Sequence, residues 1–154
     1  MFRVTRDKIS PADVEAWVKE PGAGAVVYFD GIVRDHSEGK KVKFLEYEAY
    51  EAMAEEKLRD IGEEIHRRWP VSKVAILHRV GHLEVGESSV IIAVSSPHRD
   101  HAFAACRFAI EQIKILVPIW KREHWEEGGR HWVNIEKTTP SASSPTAEGG
   151  NQIY

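Results

Sequence analysis

Apolar residues recur at three- and four-residue spacing between Ser96 and Glu123, a pattern that predicts a long amphipathic helix in this part of the chain. The apolar stripe comprises Ala102, Cys106, Ala109, Ile110, Ile113, Leu116 and Val117. Ser96 can cap the first free amides and Pro97 has no amide to leave unpaired, so the helix is expected to begin here. Pro118 cannot donate a hydrogen bond to the carbonyl of Lys114, so we expect the helix to end before it.

Two further stretches have the periodicity of amphipathic helices. A short helix is expected after Ser10-Pro11, which is typical of a cap followed by a first-turn proline. Its apolar face is formed by Val14, Trp17 and Val18. A longer helix is expected between Tyr50 and Pro70, with charged residues on its solvent face. Its apolar face consists of Ala54, Leu58, Ile61, Ile65 and Trp69.

Alternating polar and apolar positions, or continuous branched and aromatic residues, predict five β-strands and a hairpin. The strands are expected over residues 2–5, 25–29, 42–50, 73–80 and 88–96. The strongly apolar run 25–29 is expected to be buried. The pair Gly128-Gly129 predicts the turn of a C-terminal hairpin, whereas the glycines of residues 81–87 indicate a connection with tight turns.

The order of these elements predicts an α+β fold in which helices cover one face or one end of a mixed sheet. A chain of 154 residues with 42% hydrophobic content is able to bury the core of a single domain. From Thr138 onward the chain contains Ser, Thr, Pro, Gly and Ala with almost no large apolar residue. We therefore expect a folded domain over residues 1–137 and a flexible tail over residues 138–154.

Charge and composition argue against several classes of protein. The formal net charge is -3, with 21 basic and 24 acidic residues interspersed, so the basic stripe of a nucleic-acid-binding protein is missing. The single cysteine, Cys106, excludes a disulfide within the chain and lies on an apolar stripe, where an unreactive buried thiol is expected. The sequence shows no leader and no apolar run of membrane-spanning length, which favours a cytoplasmic protein without a membrane partner.

The histidines do not form a recognisable metal motif. His98 and His101 have helical spacing, but no second pair of ligands occurs at zinc-like spacing and HExxH is absent. The glycine loops GxxxxGK[ST] and GxGxxG, which cradle nucleotide phosphates, are absent as well. We therefore expect neither a bound metal nor a nucleotide cofactor.

A set of cations is the remaining candidate for chemistry. It comprises Arg34, His98, Arg99, Lys114, Lys121 and Arg122. If these side chains converge, they would bind a phosphate or carboxylate, and like charge with burial would lower the pKa of a lysine enough for base or amine chemistry. Taken singly, however, a lysine in a last helical turn is commonly a partner of the helix dipole. A non-enzymatic module that binds a phosphorylated metabolite or an acidic peptide is therefore the alternative.

Five segments, in this order, are similar to one enzyme family. They are GIVR at Gly31 to Arg34, LEYEAY at Leu45 to Tyr50, HRVGHLEVGE at His78 to Glu87, SSPHRDHAF at Ser95 to Phe103 and IKILVPIWKRE at Ile113 to Glu123. The chain resembles the large, catalytic subunit of molybdopterin synthase over about residues 2–136. This resemblance implies an α/β hammerhead fold with a largely antiparallel sheet, a long central helix and a C-terminal hairpin.

The resemblance also implies an activity and its partners. Two large subunits would form a homodimer, with a small ubiquitin-like sulfur-carrier subunit at each end of a heterotetramer. The C-terminal thiocarboxylate of the carrier would transfer sulfur to cyclic pyranopterin monophosphate in two rounds, giving the dithiolene of molybdopterin without a cofactor. The Asp35 to Lys41 loop differs from the family pattern, which leaves its substrate contacts open.

By the same resemblance, Lys114 and Lys121 are the catalytic residues. The substrate-binding residues would be Ile32, Val33, Arg34, His98, Arg99, Lys114, Lys121, Arg122 and Glu123, with Arg34 contributed across the dimer. Gly149-Gly150 in the tail is followed by four residues and so cannot present a terminal thiocarboxylate itself. One hypothesis is that the tail occupies the groove of the carrier in the free protein, and unchanged carrier affinity after truncation at Lys137 would refute it.

Overall fold

The computed structural model describes residues 1–133, which form three helices and nine strands. The helices are α1 (Ala12–Val18), α2 (Glu51–Arg68) and α3 (Arg99–Leu116). The strands are β1 (Phe2–Thr5), β2 (Ala25–Ile32), β3 (His36–Ser37), β4 (Lys40–Ala49), β5 (Lys73–Arg79), β6 (Gly81–Glu84), β7 (Ser88–Ser96), β8 (Ile119–Trp125) and β9 (Arg130–Val133). The predicted domain end at residue 137 and the tail 138–154 lie outside the described residues.

The first sheet has the strand order β1-β5-β7-β2 and carries a helical layer on each face. Strands β1 and β5 pair in parallel, whereas β5, β7 and β2 pair antiparallel. Val90, Ile92 and Val94 of β7 belong to the main core with residues of α2 and α3. Ile91 and Ala93 point to the other face, where they pack against α1. Burial on both faces explains why β7 is a continuous apolar run rather than an alternating one.

The second sheet has the order β3-β4-β8-β9, with β6 paired to β4. Strand β4 pairs antiparallel with both β6 and β8, so it lies between them. Leu45 and Tyr47 of β4 and Leu83 of β6 are buried on one face. Lys121 and Glu123 of β8 are buried as well, which places two charged residues on the inner face of this sheet.

The α+β prediction is confirmed, including the largely antiparallel pairing and the C-terminal hairpin. Strands β8 and β9 pair across a turn that contains Gly128 and Gly129, both with positive φ. Helix α2 buries the predicted face from Ala54 to Ile65. Within residues 1–133, the three helices all lack the combination of length and apolarity needed to cross a membrane.

The predicted start of the central helix is wrong. Ser96 is the last residue of β7, where it pairs with Ala25, and α3 begins only at Arg99 with His98 as its N-cap. Pairing within the sheet therefore overrides the local cap signal of Ser96-Pro97. The predicted end is confirmed, because α3 stops at Leu116 and the amide of Val117 bonds to the carbonyl of Ile113.

Two other expectations need correction. Residues 81–87 contain β6, which pairs with β4 about 35 residues earlier in the chain. The run 25–29 is part of a longer strand, β2, and it is only partly buried, because β2 lies at an edge of the first sheet. In α3, Leu116 is 43% exposed and Ala105 is fully buried, so the buried stripe is shifted from the predicted one.

Candidate active site

Three segments bring predicted site residues together. The break at Pro118 turns the chain from α3 into β8, so that Lys114 at the end of α3 comes close to Lys121. The segment Ile32-Val33-Arg34, at the end of β2, lines one cavity together with Lys121 and Glu123. The other residues that line this cavity are His36, Ser37, Val42 and Leu45. The cavity is therefore formed between the edge of one sheet and the inner face of the other.

Lys121 and Glu123 face the cavity because residues two apart in a strand share one face. Their side chains are each 4% exposed, and the Nζ of Lys121 lies 3.9 Å from the Oε1 of Glu123. The other carboxylate oxygen of Glu123, Oε2, accepts a hydrogen bond of 3.1 Å from the indole Nε1 of Trp125. A buried carboxylate thus has one donor of its own and a neighbouring ammonium.

The pKa of Lys121 is lowered to about 8. Burial is the largest cause, because it removes water from the charged amine, and the nearby charges of Arg34 and Lys114 lower the pKa further. Glu123 acts in the opposite direction. At pH 7 about a tenth of the Lys121 side chains would therefore be neutral amines able to accept a proton.

Lys114 lies in the last turn of α3 and is half-buried. Partial burial lowers its pKa, and the charge of Glu111 one turn earlier opposes this effect. The structure therefore supports more than the role of an exposed dipole partner, because Lys114 lies close enough to Lys121 for its charge to lower the pKa of that amine.

Tyr47 lies opposite Lys121 across the β4–β8 pair, and His78 packs against Tyr47. Tyr47 is the register partner of Lys121, it is 1% exposed, and burial raises the pKa of its hydroxyl. The ring of His78 lies edge-on to Tyr47 at 5.4 Å, and burial lowers its pKa to about 4. Its Nδ1 donates to the carbonyl of Arg79 at 2.9 Å. Both rings are thus neutral at pH 7. Neither residue is among the predicted site residues, although the alternation of β4 already places Tyr47 on the same face as Leu45.

Arg122 is not part of this cavity. It follows Lys121 in β8 and therefore points to the opposite face of the sheet. There its Nη1 lies 4.0 Å from the Oε2 of Glu46, and its guanidinium lies 3.9 Å from the centroid of the Trp132 ring. The predicted contact of Arg122 with the same substrate as Lys121 is therefore not supported within one chain.

His98 and Arg99 lie at the opposite end of α3 from Lys114. Both are exposed, and a helix that rises about 1.5 Å per residue separates Arg99 from Lys114 by about 22 Å. One chain thus brings together Arg34, Lys114 and Lys121 but not the other predicted cations. Arg34 shares a cavity with Lys121 of its own chain. Its contribution across a dimer stays a prediction.

Two other candidate chemistries receive no support from the described part of the chain. Across residues 1–133, no three His, Cys, Asp or Glu side chains are grouped so that they could hold a metal ion. Cys106 is buried, and burial raises its pKa to about 12, so it remains a thiol at neutral pH. The interpretation of Cys106 as an unreactive core residue is confirmed.

Comparison with known proteins gives consistent matches over most of the chain. The sequence model of the family described as MoaE protein matches residues 4–115. The molybdopterin synthase catalytic subunit of Halalkalibacterium halodurans is 47% identical over 96% of this chain and 95% of its own length. The protein of the same name from Bacillus subtilis is 44% identical over 98% of this chain and 97% of its own.

Solved structures agree with the sequence matches. Molybdopterin synthase from Staphylococcus aureus superposes with a TM-score of 0.82 at 45% identity, covering 86% of this chain and 96% of that one. A chain from the complex of subunits 1 and 2 of molybdopterin-converting factor from Helicobacter pylori has a TM-score of 0.69 at 22% identity, covering 84% and 88%. The second likeness shows that the fold is shared.

Proposed function

This chain belongs to the MoaE family, and we propose that it transfers sulfur from the C-terminal thiocarboxylate of a small ubiquitin-like carrier subunit to cyclic pyranopterin monophosphate. The matched relatives are named molybdopterin synthase catalytic subunits. The observation that carries the proposal is the pair of lysines with lowered pKa, of which Lys121 is buried beside the cavity lined by Arg34.

The chemistry of both substrates fits these residues. A thiocarboxylate and a cyclic phosphate are anions, and Arg34, Lys114 and Lys121 supply positive charge in a site with little water. In each round the thiocarboxylate sulfur forms a bond to a side-chain carbon of the pyranopterin while a carbon–oxygen bond at that carbon breaks, and the oxygen leaves as water or stays on the opened phosphate ester. Water then hydrolyses the resulting thioester and releases the carrier terminus as a carboxylate. Two such rounds give the dithiolene. Lys114 contacts the carrier terminus, and Lys121 exchanges protons with the reacting groups, so the transfer uses neither metal nor nucleotide.

The proposed site is completed by a second copy of the chain. His98 and Arg99 are about 22 Å from Lys114 in the same chain, so they reach a shared substrate only if they come from a partner protomer. A homodimer with two such composite sites, and one carrier bound at each, forms the proposed heterotetramer. We place this reaction in the cytoplasm, where reducing conditions preserve the thiocarboxylate and the dithiolene.

The test is to mix the purified protein with a thiocarboxylated carrier and cyclic pyranopterin monophosphate, and to follow dithiolene formation. We expect product from the wild type and at least about a 100-fold loss in Lys114→Ala. Lys114→Arg should not restore the rate, because a guanidinium stays protonated. Lys57→Ala, at an exposed lysine of α2 that pairs with Asp60, is the matched control and should keep the wild-type rate.

The opposite results are equally informative. If the wild type yields no dithiolene with a carrier that is active with an established large subunit, the non-enzymatic anion-binding module becomes the better assignment. If Lys114→Arg retains the full rate, amine chemistry at this position is refuted. Sedimentation of each variant shows whether the dimer is intact, so that a lost interface is not taken for lost chemistry.

A further inference from the structure

Trp125 is the fourth inward-facing residue of β8, after Ile119, Lys121 and Glu123. Its indole Nε1 donates to the Oε2 of Glu123 at 3.1 Å. The remaining oxygen of that carboxylate, Oε1, lies 3.9 Å from the Nζ of Lys121. This separation is longer than the roughly 2.7–3.2 Å of a direct N–H···O hydrogen bond. The carboxylate is thus bonded on the tryptophan side and close to the lysine without a direct hydrogen bond.

We propose that Trp125 is a positioning residue of the sulfur-transfer site, whose indole N–H keeps the Glu123 carboxylate from accepting a direct hydrogen bond from Lys121. The inference rests on the proposed function in one respect, because that function assigns proton exchange to the neutral amine of Lys121. In this arrangement Glu123 balances part of the buried charge but leaves the amine able to release its proton near neutral pH.

Burial makes the position of this carboxylate decisive. The side chains of Lys121 and Glu123 are each 4% exposed, so water screens their interaction weakly. A hydrogen-bonded pair, closer than the present 3.9 Å, would stabilise the ammonium form further and raise the pKa of Lys121 above its value of about 8. Without the indole N–H, Oε2 of Glu123 would lose this donor, and the ammonium of Lys121 already lies 3.9 Å from Oε1 of the same carboxylate.

Contacts on the hairpin fix the position of the Trp125 ring. The Nζ of Lys40 lies 4.5 Å from a ring centroid, and the ring of His131 stacks at 5.9 Å with an interplanar angle of 20°. The amide of Trp125 donates to the carbonyl of Gly129 at 3.1 Å. A Cβ added at Gly129 would lie 3.4 Å from the indole, so the turn itself packs against the ring.

Charged and titratable groups from other elements also face Lys121. Arg34 follows β2, Lys114 ends α3, and Tyr47 lies opposite on β4, with His78 of β5 against its ring and His36 at the cavity wall. Arg34 and Lys114 lower the pKa of Lys121, and Glu123 opposes them. Tyr47 and His78 are neutral at pH 7. A change at Trp125 alters none of these groups directly, so its effect must pass through Glu123.

The test is a direct titration of Lys121. NMR of protein with ¹³C-labelled lysine, with the Lys121 signal assigned by its loss in Lys121→Arg, should give a midpoint of about 8 in the wild type. Trp125→Phe keeps an aromatic ring without the N–H, and we expect its midpoint to rise by about one pH unit. In the pH dependence of kcat for sulfur transfer, the acidic limb should move to higher pH by the same amount.

Two controls separate positioning from packing. Trp17→Phe removes the indole of α1, which also has a lysine, Lys73, over its ring at 5.0 Å, and it should leave the midpoint unchanged. In a Glu123→Gln background, Trp125→Phe should have no further effect on the midpoint, because the carboxylate through which it acts is gone. If Trp125→Phe does not fold, benzothienylalanine at position 125 keeps the shape of the ring and also removes the N–H.

A midpoint that is unchanged or lower in Trp125→Phe and in the benzothienylalanine protein would overturn the proposal. An equal shift in the Glu123→Gln background would overturn it as well, because Trp125 would then act by another route. The titration does not depend on activity. If Trp125→Phe shifts the Lys121 midpoint as expected but the wild type makes no dithiolene, the proposed function is refuted while the positioning of Glu123 by Trp125 remains supported.

Discussion

His78 and Lys121 are buried bases whose pKa values are lowered chiefly because burial penalises their charged forms. The sequence pattern alone did not indicate that either side chain is buried, because lysine is rarely fully buried and histidine is intermediate in burial. For His78 the consequence is a loss of stability in acid. As the pH falls, the ring binds a proton in the unfolded chain before it does so in the folded one, which favours unfolding.

We therefore predict that His78 makes the protein acid-sensitive between pH 6.5 and 4. The folded pKa is about 4 against 6.5 in the unfolded chain, so the unfolded state binds the proton first and stability falls as the pH decreases through this window. The full effect is about 3 kcal/mol. Urea unfolding at several pH values should show wild type losing that much relative to His78→Leu between pH 7 and pH 4.

The matched control for this prediction is His66→Leu in α2. His66 is exposed, so its ring is in water in both the folded and the unfolded chain. We expect His66→Leu to lose stability between pH 7 and pH 4 much as the wild type does, because it leaves the buried ring of His78 in place. A wild type and a His78→Leu variant that lose stability in parallel between pH 7 and pH 4 would contradict the prediction.

At the scale of elements, Gly24 allows the segment before β2 to pack closely against the segment that leads into α3. The amide of Gly24 donates to the carbonyl of Ser96 at 3.0 Å. A Cβ at Gly24 would lie 2.4 Å from the carbonyl oxygen of Pro97, which is backbone and cannot rotate away. This contact holds the segment that leads into His98 and Arg99.

We expect Gly24→Ala to lower the free energy of unfolding by about 1–3 kcal/mol, because the two backbone segments must separate to admit the methyl group. Gly22→Ala is the control in the same turn, since its Cβ would meet an ordinary contact at 3.8 Å. Denaturant unfolding of both variants measures the difference. Equal stability of the two variants would show that the Gly24 and Pro97 segments are not tightly packed.

The elements that were predicted correctly are those whose signals are local. Helix α2 has a repeating apolar face, and α3 ends where Pro118 removes an amide. Strand β6 was not predicted because it is extended only through its pairing with β4, which is distant in sequence. The same reason explains the wrong start of α3, where Ser96 pairs with Ala25 instead of capping the helix.

At the scale of the whole molecule, the distance along α3 has a consequence for assembly. If His98 and Arg99 serve the lysines of a partner protomer, Lys114→Ala and Arg99→Ala variants should complement each other. In a mixed dimer, the chain with intact Lys114 would receive the intact Arg99 of the other chain. Random mixing after dissociation should then restore about a quarter of the wild-type sulfur-transfer rate.

The comparison for this experiment is each variant mixed with itself in the same way, which should remain inactive. Mixtures of the two variants that also remain inactive, although mixed dimers are seen by native mass spectrometry, would show that Arg99 acts within its own chain or not at all. A recovered rate would show that residues of both chains meet in one site at the dimer interface.

The sequence by itself determined the α+β class, most helices and strands, the family, and the lysines at the end of the central helix and in the segment after it. These follow from periodicity, proline and glycine positions, and motif order, all of which are local properties of the chain. Only the tertiary structure decided which cations share a site. Lys121 and Arg122 are neighbours in sequence but point to opposite faces of β8, whereas Arg34 and Lys121 meet because two sheets converge. The lowered pKa of Lys121 likewise requires burial, which no single segment specifies.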